Sequence, residues 1–345
     1  MAALIRTLIV DDSAFARKVV REMLATSPLI EVVGAARDGE EALELTAQLN
    51  PDIVICDLLM PKVGGVEYVR RQMRVRRLPI LILSAAAQDA EAVIDALNAG
   101  AIDVVKKPSA LATDDLRSVR DELVEKLQEA LKVPLANLAL QSAPAPLIPV
   151  AAVQTSKTGI VLIGISTGGP QALRRMMPLF PADFPVPIAI VLHMPVGYTA
   201  LFAEKLNEAC ALEVKEAADG DLLLPGRVLL AQAGRHLVFR RTVDGQVMAA
   251  LSMQPLEKIH RPSVDVLFQS AVDLYGGRVM AVVMTGMGDD GKEGAAWVKA
   301  QGGTVLTEAE KSCVIYGMPR SVAEAGLSDA AVPLDEMAQA ITARL

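Results

Sequence analysis

The chain has 345 residues, which at about 150 residues per domain predicts two domains. Hydrophobic residues make up 52% of it and charged residues 22%, which excludes disordered, collagen-like and coiled-coil chains. With 3% aromatic residues and a net charge of −7, no nucleic-acid surface of stacked aromatic rings and clustered basic side chains is expected.

Five short apolar runs alternate with amphipathic stretches in the first part of the chain. Each run is too short for a helix and too continuously apolar for a half-exposed strand, which is typical of buried parallel strands. Patterns such as Phe15, Val19 and Met23 predict helices between them. We therefore expect an α/β domain, a doubly wound (βα)5 unit, over residues 1–132. The runs are Leu4–Val10, Glu31–Ala36, Asp52–Cys56, Pro79–Leu83 and Ile102–Val105.

Polar side chains follow four of these runs. Asp11 and Asp12 end the first, Asp57 the third, Ser84 the fourth and Lys107 the fifth. The carboxyl ends of strands share one edge in a doubly wound sheet, where clustered carboxylates favour a cation such as Mg²⁺. Asp57 can then accept a phosphoryl group, with Ser84 and Lys107 contacting its oxygens. Each Asp alone could be an ordinary turn former, but the whole set favours a phosphoacceptor site.

Four motifs in this region resemble the receiver domain of bacterial two-component response regulators. The resemblance spans about residues 4–131 and implies that a histidine kinase phosphorylates Asp57, with Asp11, Asp12 and Asp57 around Mg²⁺. Val104 stands where many receivers have an aromatic residue that rotates on activation, and Gly64 where many have Asp. The motifs are VDDS at 10–13, ICDLLMP at 55–61, LSA at 83–85 and VKKP at 105–108.

The stretch 133–158 differs from what surrounds it. It has three prolines between Pro144 and Pro149, few charges and no sustained period, which predicts an interdomain linker. Beyond it, residues 159–345 predict a second doubly wound, mostly parallel and Rossmann-like domain. Its predicted strands are Gly159–Ile165, Pro187–His193, Arg227–Ala231 and Val279–Thr285, and its predicted helices are Gln171–Met177, Thr199–Ala209, Ser263–Tyr275 and Gly294–Ala300.

A G-x-S-x-G motif follows the first strand of this second domain. Such a tight strand-to-helix turn presents the Ser166 hydroxyl and leaves backbone N–H groups for an oxyanion, although it could equally bind a phosphate or dinucleotide. Of the three histidines, His193 ends a predicted strand at the same edge, whereas His236 and His260 do not. Asp289 and Asp290 follow a further strand and offer the carboxylate that would orient His193.

Three cysteines, at positions 56, 210 and 313, are too far apart for a disulfide framework or a zinc site. The apolar amino terminus is interrupted by Arg6 and leads into Asp11, unlike a signal peptide. No run of 18 or more apolar residues occurs. We therefore expect a cytoplasmic protein that does not insert into the membrane.

Five motifs of the second domain resemble bacterial chemotaxis receptor protein-glutamate methylesterases. The resemblance implies that Ser166 is the nucleophile, His193 the general base and Asp290 the orienting carboxylate. It also implies oxyanion donors at the backbone N–H groups of Thr167 and Met287, and we interpret Asp289 as a helix cap. Ile165 and the turn 231–234 depart from the family pattern. The motifs are GISTGGP at 164–170, LHMPVGYT at 192–199, HRPSVDVLF at 260–268, TGMGDDG at 285–291 and CVIYGMPR at 313–320.

Together the two resemblances imply a phosphorylation-regulated hydrolase. It would demethylate glutamate methyl esters on chemoreceptors with release of methanol, and deamidate glutamines by the same acyl chemistry. Its partners would be methylated chemoreceptors and a histidine kinase, and the esterase would need no organic cofactor. The alternative is a non-catalytic output module that binds an anionic ligand at the Gly164–Gly169 turn.

Overall fold

The computed structural model describes residues 4–85, 89–107, 113–131 and 158–345 of the chain. It divides into two compact units, with the boundary between Ser142 and Ala143. That boundary falls within the predicted linker 133–158, which up to residue 157 lies outside the described residues, as does Pro108. In the described parts, no helix is both long and apolar enough to cross a membrane.

The first unit is a five-stranded parallel sheet in the order β2-β1-β3-β4-β5, with helices between successive strands. It confirms the predicted (βα)5 fold. The strand order turns back between β1 and β3, so the carboxyl ends of these two strands flank the switch point of the sheet. The elements are β1 (Ile5–Val10), α1 (Ala14–Leu24), β2 (Ile30–Ala36), α2 (Gly39–Leu49), β3 (Ile53–Asp57), α3 (Gly65–Val75), β4 (Ile80–Ser84), α4 (Ala90–Asn98), β5 (Asp103–Lys106) and α5 (Thr113–Ala130).

The buried face of α1 differs from the predicted apolar positions Phe15, Val19 and Met23 by one residue at its first two positions. Phe15 is 59% exposed, whereas Ala16 and Val20 are buried together with Met23. The helix begins after Ser13, whose hydroxyl accepts the N–H of Ala16. The period of the apolar pattern therefore predicts the helix correctly, but small and branched side chains, rather than Phe15, fill the space against the sheet.

The second unit contains a seven-stranded parallel sheet in the order β14-β13-β12-β6-β7-β9-β8 and a separate antiparallel hairpin, β10-β11. The strands are β6 (Ile160–Ile165), β7 (Ile188–Leu192), β8 (Glu213–Glu216), β9 (Arg227–Leu230), β10 (His236–Arg241), β11 (Val247–Ser252), β12 (Val279–Val283), β13 (Thr304–Glu308) and β14 (Ala330–Val332). The helices are α6 (Gly169–Met176), α7 (Thr199–Ala209), α8 (Val264–Tyr275), α9 (Lys292–Ala300), α10 (Met318–Glu324) and α11 (Leu334–Thr342).

The three central strands β12, β6 and β7 are fully buried, which explains their continuously apolar sequences. They run parallel, and Ile165 of β6 pairs with Leu192 of β7. Their carboxyl ends therefore lie side by side at one edge. The loops that leave this edge carry Ser166, His193 and Asp290.

Candidate active site

The turn after β6 presents Ser166. Its backbone N–H donates to the carbonyl of Thr285 at 2.9 Å, and its own carbonyl accepts from the N–H of Gly169 at 2.7 Å. Gly168 has a φ of +79°, and a Cβ at this position would lie 2.5 Å from Val314. The turn therefore requires glycine, and α6 begins immediately after it with Pro170 in its first turn.

The loop after β12 packs directly against this nucleophile turn. The Thr285 hydroxyl donates to the carbonyl of Thr167 at 2.9 Å and accepts from the N–H of Ile315 at 3.0 Å. A Cβ on Gly286 would lie 2.7 Å from Cβ of Ser166. The absence of a side chain at Gly286 thus permits the close approach of this loop to Ser166.

His193 follows β7 and is held next to the nucleophile turn. Its backbone N–H donates to the carbonyl of Ile165 at 3.1 Å, and its Nε2 lies 2.9 Å from Oδ2 of Asp290. An ionised carboxylate only accepts hydrogen bonds, so Nε2 carries the proton and Nδ1 carries the lone pair. Nδ1 is buried and bonds to none of the described residues. The ring nitrogen that can take a proton is therefore Nδ1.

The carboxylate of Asp290 accepts four hydrogen bonds. Besides His193, the donors are the Ser263 hydroxyl at 2.9 Å and the backbone N–H groups of Val264 at 2.8 Å and Asp265 at 3.0 Å. Burial alone would raise the pKa of this side chain, but the bonds from His193, Val264 and Asp265 hold it well below its usual range. Asp290 is therefore a fixed negative charge at the amino terminus of α8.

Asp265 and Asp290 cap each other's helices. Asp290 precedes α9 and accepts from the first turn of α8, whereas Asp265 lies in that turn and accepts from Gly291 at 2.9 Å and Gly294 at 2.8 Å. Burial and the charge of Asp290 raise the pKa of Asp265, and Lys258 at 3.0 Å partly offsets them. Asp265 rather than the exposed Asp289 thus caps α9, so the predicted capping role of Asp289 is wrong.

The other two histidines surround this arrangement. The His260 ring stacks on the His193 ring with 4.2 Å between centroids and 18° between planes. His236 is buried; its Nδ1 accepts the N–H of Ser263 at 3.2 Å and its Nε2 donates to the carbonyl of Pro255 at 3.1 Å. Burial lowers the pKa of His236. His236 therefore supports the Ser263 backbone and is not placed to act as the base.

The two predicted oxyanion donors belong to the nucleophile turn and to the loop after β12 that packs against it. Thr167 is the next residue of the turn and is buried, and Met287 follows Gly286 and is half-buried. The N–H of Met287 donates to no group among the described residues. Backbone N–H groups in such positions are suited to a developing negative charge.

The first unit carries its own polar edge. One carboxylate oxygen each of Asp11, Asp12 and Asp57 lies within 4.8 Å of the others, and only Asp12 is exposed. The ammonium of Lys107 lies 2.7 Å from Asp11 and 2.9 Å from Asp57. Burial raises the pKa of Asp57, against the opposing effect of Lys107. Three converging carboxylates are an oxygen donor set that Mg²⁺ prefers, so the residues fit this ion.

Ser84 lies at the carboxyl end of β4, as predicted, but its hydroxyl bonds to Asp89 at 3.0 Å. Lys107 thus contacts both Asp11 and Asp57, whereas the Ser84 hydroxyl donates to the carboxylate of Asp89.

Three residues around the second site were not predicted from the sequence: Ser263 and Asp265, which donate to Asp290, and Glu308, which accepts the N–H of Thr285. A serine immediately before the apolar run of α8 is the usual signal of a helix amino terminus and could have identified Ser263. No local signal identifies Asp265, because its partners Gly291 and Gly294 are distant in sequence. Glu308 ends a strand, Thr304–Glu308, that was not predicted because three of its residues are polar.

Comparisons with known proteins match both units. The family described as CheB methylesterase matches residues 161–341, and the response regulator receiver domain matches residues 7–119. The chain is 48% identical over 336 residues to protein-glutamate methylesterase/protein-glutamine glutaminase 5 of Myxococcus xanthus, covering 96% of both chains. It is 41% identical to the corresponding protein of Halalkalibacterium halodurans, covering 99% of this chain and 98% of that one.

A solved structure is similar to the second unit. The Thermotoga maritima CheB methylesterase catalytic domain aligns with a TM-score of 0.53 and 39% identity, covering 55% of this chain and 99% of that one.

Proposed function

The chain belongs to the CheB methylesterase family and carries a response regulator receiver domain, and from this premise we propose that Ser166, His193 and Asp290 hydrolyse glutamate methyl esters on chemoreceptors. The observation that carries the proposal is the hydrogen bond between His193 and Asp290 at the edge where Ser166 leaves its strand. That bond leaves one basic ring nitrogen, Nδ1, for the nucleophile.

The first half-reaction is acyl transfer to the enzyme. Ser166 Oγ attacks the γ-carbonyl carbon of the methylated glutamyl side chain, and its proton passes to Nδ1 of His193. The N–H groups of Thr167 and Met287 donate to the resulting oxyanion. The carbonyl then re-forms, the bond to the methoxy group breaks, and methanol leaves with the proton from His193. The product is a glutamyl ester on Ser166.

The second half-reaction restores the enzyme. Water attacks the glutamyl ester while Nδ1 of His193 takes one of its protons, and Ser166 leaves with that proton. The glutamic acid side chain that forms then releases its own proton to solvent and becomes the carboxylate. Asp290 stays ionised throughout, because its low pKa and its hydrogen-bond donors favour the carboxylate, and it stabilises the imidazolium of His193. A glutamine side chain would react in the same way, with ammonia as the leaving group.

The receiver half supplies the regulation. Asp57 accepts a phosphoryl group from a histidine kinase. Asp11, Asp12 and Asp57 would hold Mg²⁺. When bound, this ion neutralises the carboxylates and the phosphoryl oxygens. Lys107, which contacts both buried carboxylates, supplies a further positive charge beside the phosphoryl group. The phosphoryl donor and the methylated chemoreceptors are the partners that this function requires.

The non-catalytic alternative, an anion-binding output module, receives no support from the family assignment. An anion site at the turn would also have no use for a histidine whose basic nitrogen is left without a partner in the described residues. The cytoplasmic location stays a prediction from the cysteine spacing and the amino-terminal sequence.

Replacement of the nucleophile tests the proposal. We expect Ser166→Ala to lower methanol release from methylated receptors by roughly 10⁴- to 10⁶-fold, because loss of one triad member removes the concerted chemistry. The variant should unfold at the wild-type temperature, and it should no longer be labelled by a serine-reactive organophosphonate. Methanol release within tenfold of wild type by the folded variant would refute the assignment.

A further inference from the structure

A fully buried carboxyl group lies behind the nucleophile turn. Glu308 is the last residue of β13 and has no exposed surface. One of its oxygens accepts the backbone N–H of Thr285 at 2.9 Å, and the other accepts the Ser312 hydroxyl at 2.9 Å. Among the described residues, no basic side chain forms an ion pair with it. A buried charge without a cation is costly, so its position calls for an explanation.

Glu308 contacts the residue that holds the nucleophile turn. The carbonyl of Thr285 accepts the N–H of Ser166, and its hydroxyl donates to the carbonyl of Thr167. Thr285 is therefore hydrogen-bonded to both residues of the turn on one side and to Glu308 on the other. A change at Glu308 reaches Ser166 through a single intervening residue.

We propose that Glu308 is a positioning residue for the nucleophile turn, and that its ionisation makes the reactivity of Ser166 depend on pH. The proposal rests on the assignment of Ser166 as the nucleophile. Glu308 takes no part in bond making: it acts through Thr285. Its negative charge lies behind the turn whose N–H groups stabilise the oxyanion, so ionisation opposes the charge that develops in the reaction.

The hydrogen bonds around Glu308 accommodate both of its protonation states. The ionised carboxylate accepts from Ser312, as observed. When Glu308 is protonated, its own O–H can donate to the Ser312 oxygen, because the Ser312 hydroxyl has a second acceptor in the carbonyl of Ala309 at 3.1 Å. The Thr285 N–H keeps an acceptor in either state. The site can therefore gain and lose a proton without leaving a buried group unsatisfied.

The ionisable groups around Glu308 do not fix it in either the protonated or the ionised form. The neighbouring strands β12 and β14 carry no ionisable side chain. The Cys313 thiol is buried, and Asp335 of α11 is paired with Arg175 of α6 at 2.6 Å. Burial raises the pKa of Glu308 to about 7, against the opposing bonds from Thr285, Ser312 and the Cys313 thiol, and Asp335 raises it further. Glu308 thus titrates in the neutral range.

The test measures labelling of Ser166 by an organophosphonate from pH 5.5 to 9 in the full-length wild type and in Glu308→Gln. The Gln side chain mimics the protonated state: its oxygen accepts from Thr285 and its NH₂ donates to Ser312. We expect equal rates at the acid end, and a wild-type rate that falls up to about tenfold below that of the variant as pH passes neutrality. Glu310→Gln, an exposed glutamate in the following loop, should follow the wild type throughout.

A rate ratio between wild type and Glu308→Gln that stays constant or rises with pH would overturn the proposal. If Glu308→Gln does not fold, Ser312→Ala carries the test. It removes one donor to the ionised carboxylate, so the inflection should move to higher pH, and an unmoved inflection would overturn the proposal. Failure of the proposed function is a different result, because wild-type Ser166 would then not be labelled at any pH.

Discussion

Each of the two sheets has an aspartate with a largely buried side chain beyond its carboxyl edge, Asp57 at the end of β3 and Asp290 in the loop after β12. The two carboxylates are held differently. Asp57 accepts one backbone N–H, from Leu58, and pairs with Lys107. Asp290 accepts bonds from His193, Ser263, Val264 and Asp265. The pKa of Asp57 is raised, because burial outweighs its partners, whereas the pKa of Asp290 is lowered, because its donors outweigh burial.

This difference matches two kinds of chemistry. A phosphoacceptor must offer lone pairs to an incoming phosphorus atom, and an under-satisfied carboxylate such as Asp57 has them. An orienting carboxylate must keep its charge and its position, and every additional N–H donor to Asp290 favours both. The number of hydrogen-bond donors, rather than burial, therefore separates the phosphoacceptor carboxylate of Asp57 from the orienting carboxylate of Asp290.

Among the variants that test this comparison between the two carboxylates, Asp290→Asn has the largest expected effect. The Asn amide would place its NH₂ against groups that themselves donate hydrogen bonds to Asp290. It would also hold the imidazole of His193 in the wrong tautomer, which lowers kcat about 10⁴-fold in a serine protease with the same substitution. Asp289→Asn is the matched control, because Asp289 is exposed, and its methanol release should stay close to wild type. A larger loss in Asp289→Asn than in Asp290→Asn would mean that the orienting carboxylate is the other residue.

Glu308 has hydrogen-bond donors like Asp290, but its pKa is raised like that of Asp57. It therefore extends the comparison to the stability of the fold. Its pKa is raised from 4.5 to about 7, so between these values the folded chain keeps a proton that the unfolded chain has lost. The free energy of unfolding therefore falls as pH rises through this window, by up to roughly 3 kcal/mol, and stays low above it.

Glu308→Gln cannot ionise and should lack this dependence. Denaturant unfolding of both proteins at pH 5 and pH 8 is the measurement, and Glu310→Gln is again the control. If the unfolding free energies of wild type and Glu308→Gln differ by the same amount at pH 5 and at pH 8, Glu308 keeps an ordinary pKa in the folded chain.

The variant Asp57→Ala tests the phosphoacceptor role of Asp57. We expect the basal esterase activity to be retained and its stimulation by acetyl phosphate and Mg²⁺ to be lost, a change of about 5- to 150-fold for couplings of ordinary size. Chelation of Mg²⁺ should have the same effect on the wild type. If the unphosphorylated receiver restrains the esterase, residues 155–345 alone should be faster than the unphosphorylated full-length chain.

Two outcomes would contradict this prediction. Stimulation that persists in Asp57→Ala would place the phosphoacceptor elsewhere. An isolated second half no faster than the whole chain would mean that phosphorylation activates the esterase or recruits it to its receptors.

The smallest expected effect concerns the ring stacked on His193. Loss of a stacked aromatic pair is worth about 0.5–1.5 kcal/mol, so His260→Ala should lower kcat about 2- to 10-fold. His260→Phe keeps a flat ring against His193 and should recover most of the activity. If Phe and Ala variants were equally slow, the imidazole of His260 would contribute through hydrogen bonding rather than stacking.

Much of the fold and of both sites could be predicted from the strands and the residues that follow them. Continuously apolar runs predicted all five strands of the first sheet and the central strands of the second. Because these strands are parallel, Asp57, Ser166 and His193 lie at the carboxyl ends of their sheets. The family resemblance selected Asp290 over Asp289, and the hydrogen bonds are consistent with that choice.

The remaining features depend on contacts between segments distant in sequence. The strands β8 and β14 at the two ends of the sheet, and β13 beside β14, contain polar or small residues, so their apolar pattern is too weak to predict them. The orientation of the His193 ring depends on the position of Asp290, and that position depends on where two helices begin. No local pattern contains this information, because it arises only when α8 and α9 pack together.

The reciprocal caps of α8 and α9 have a consequence for how the site opens. The N–H groups of Val264, Asp265, Gly291 and Gly294 are all bonded to two side chains, each of which belongs to the other helix start. Neither helix end can fray alone, because fraying of one exposes the carboxylate that anchors its partner. Deuterium exchange of these four amides should therefore report one common free energy of opening, that of an event that releases both helices together.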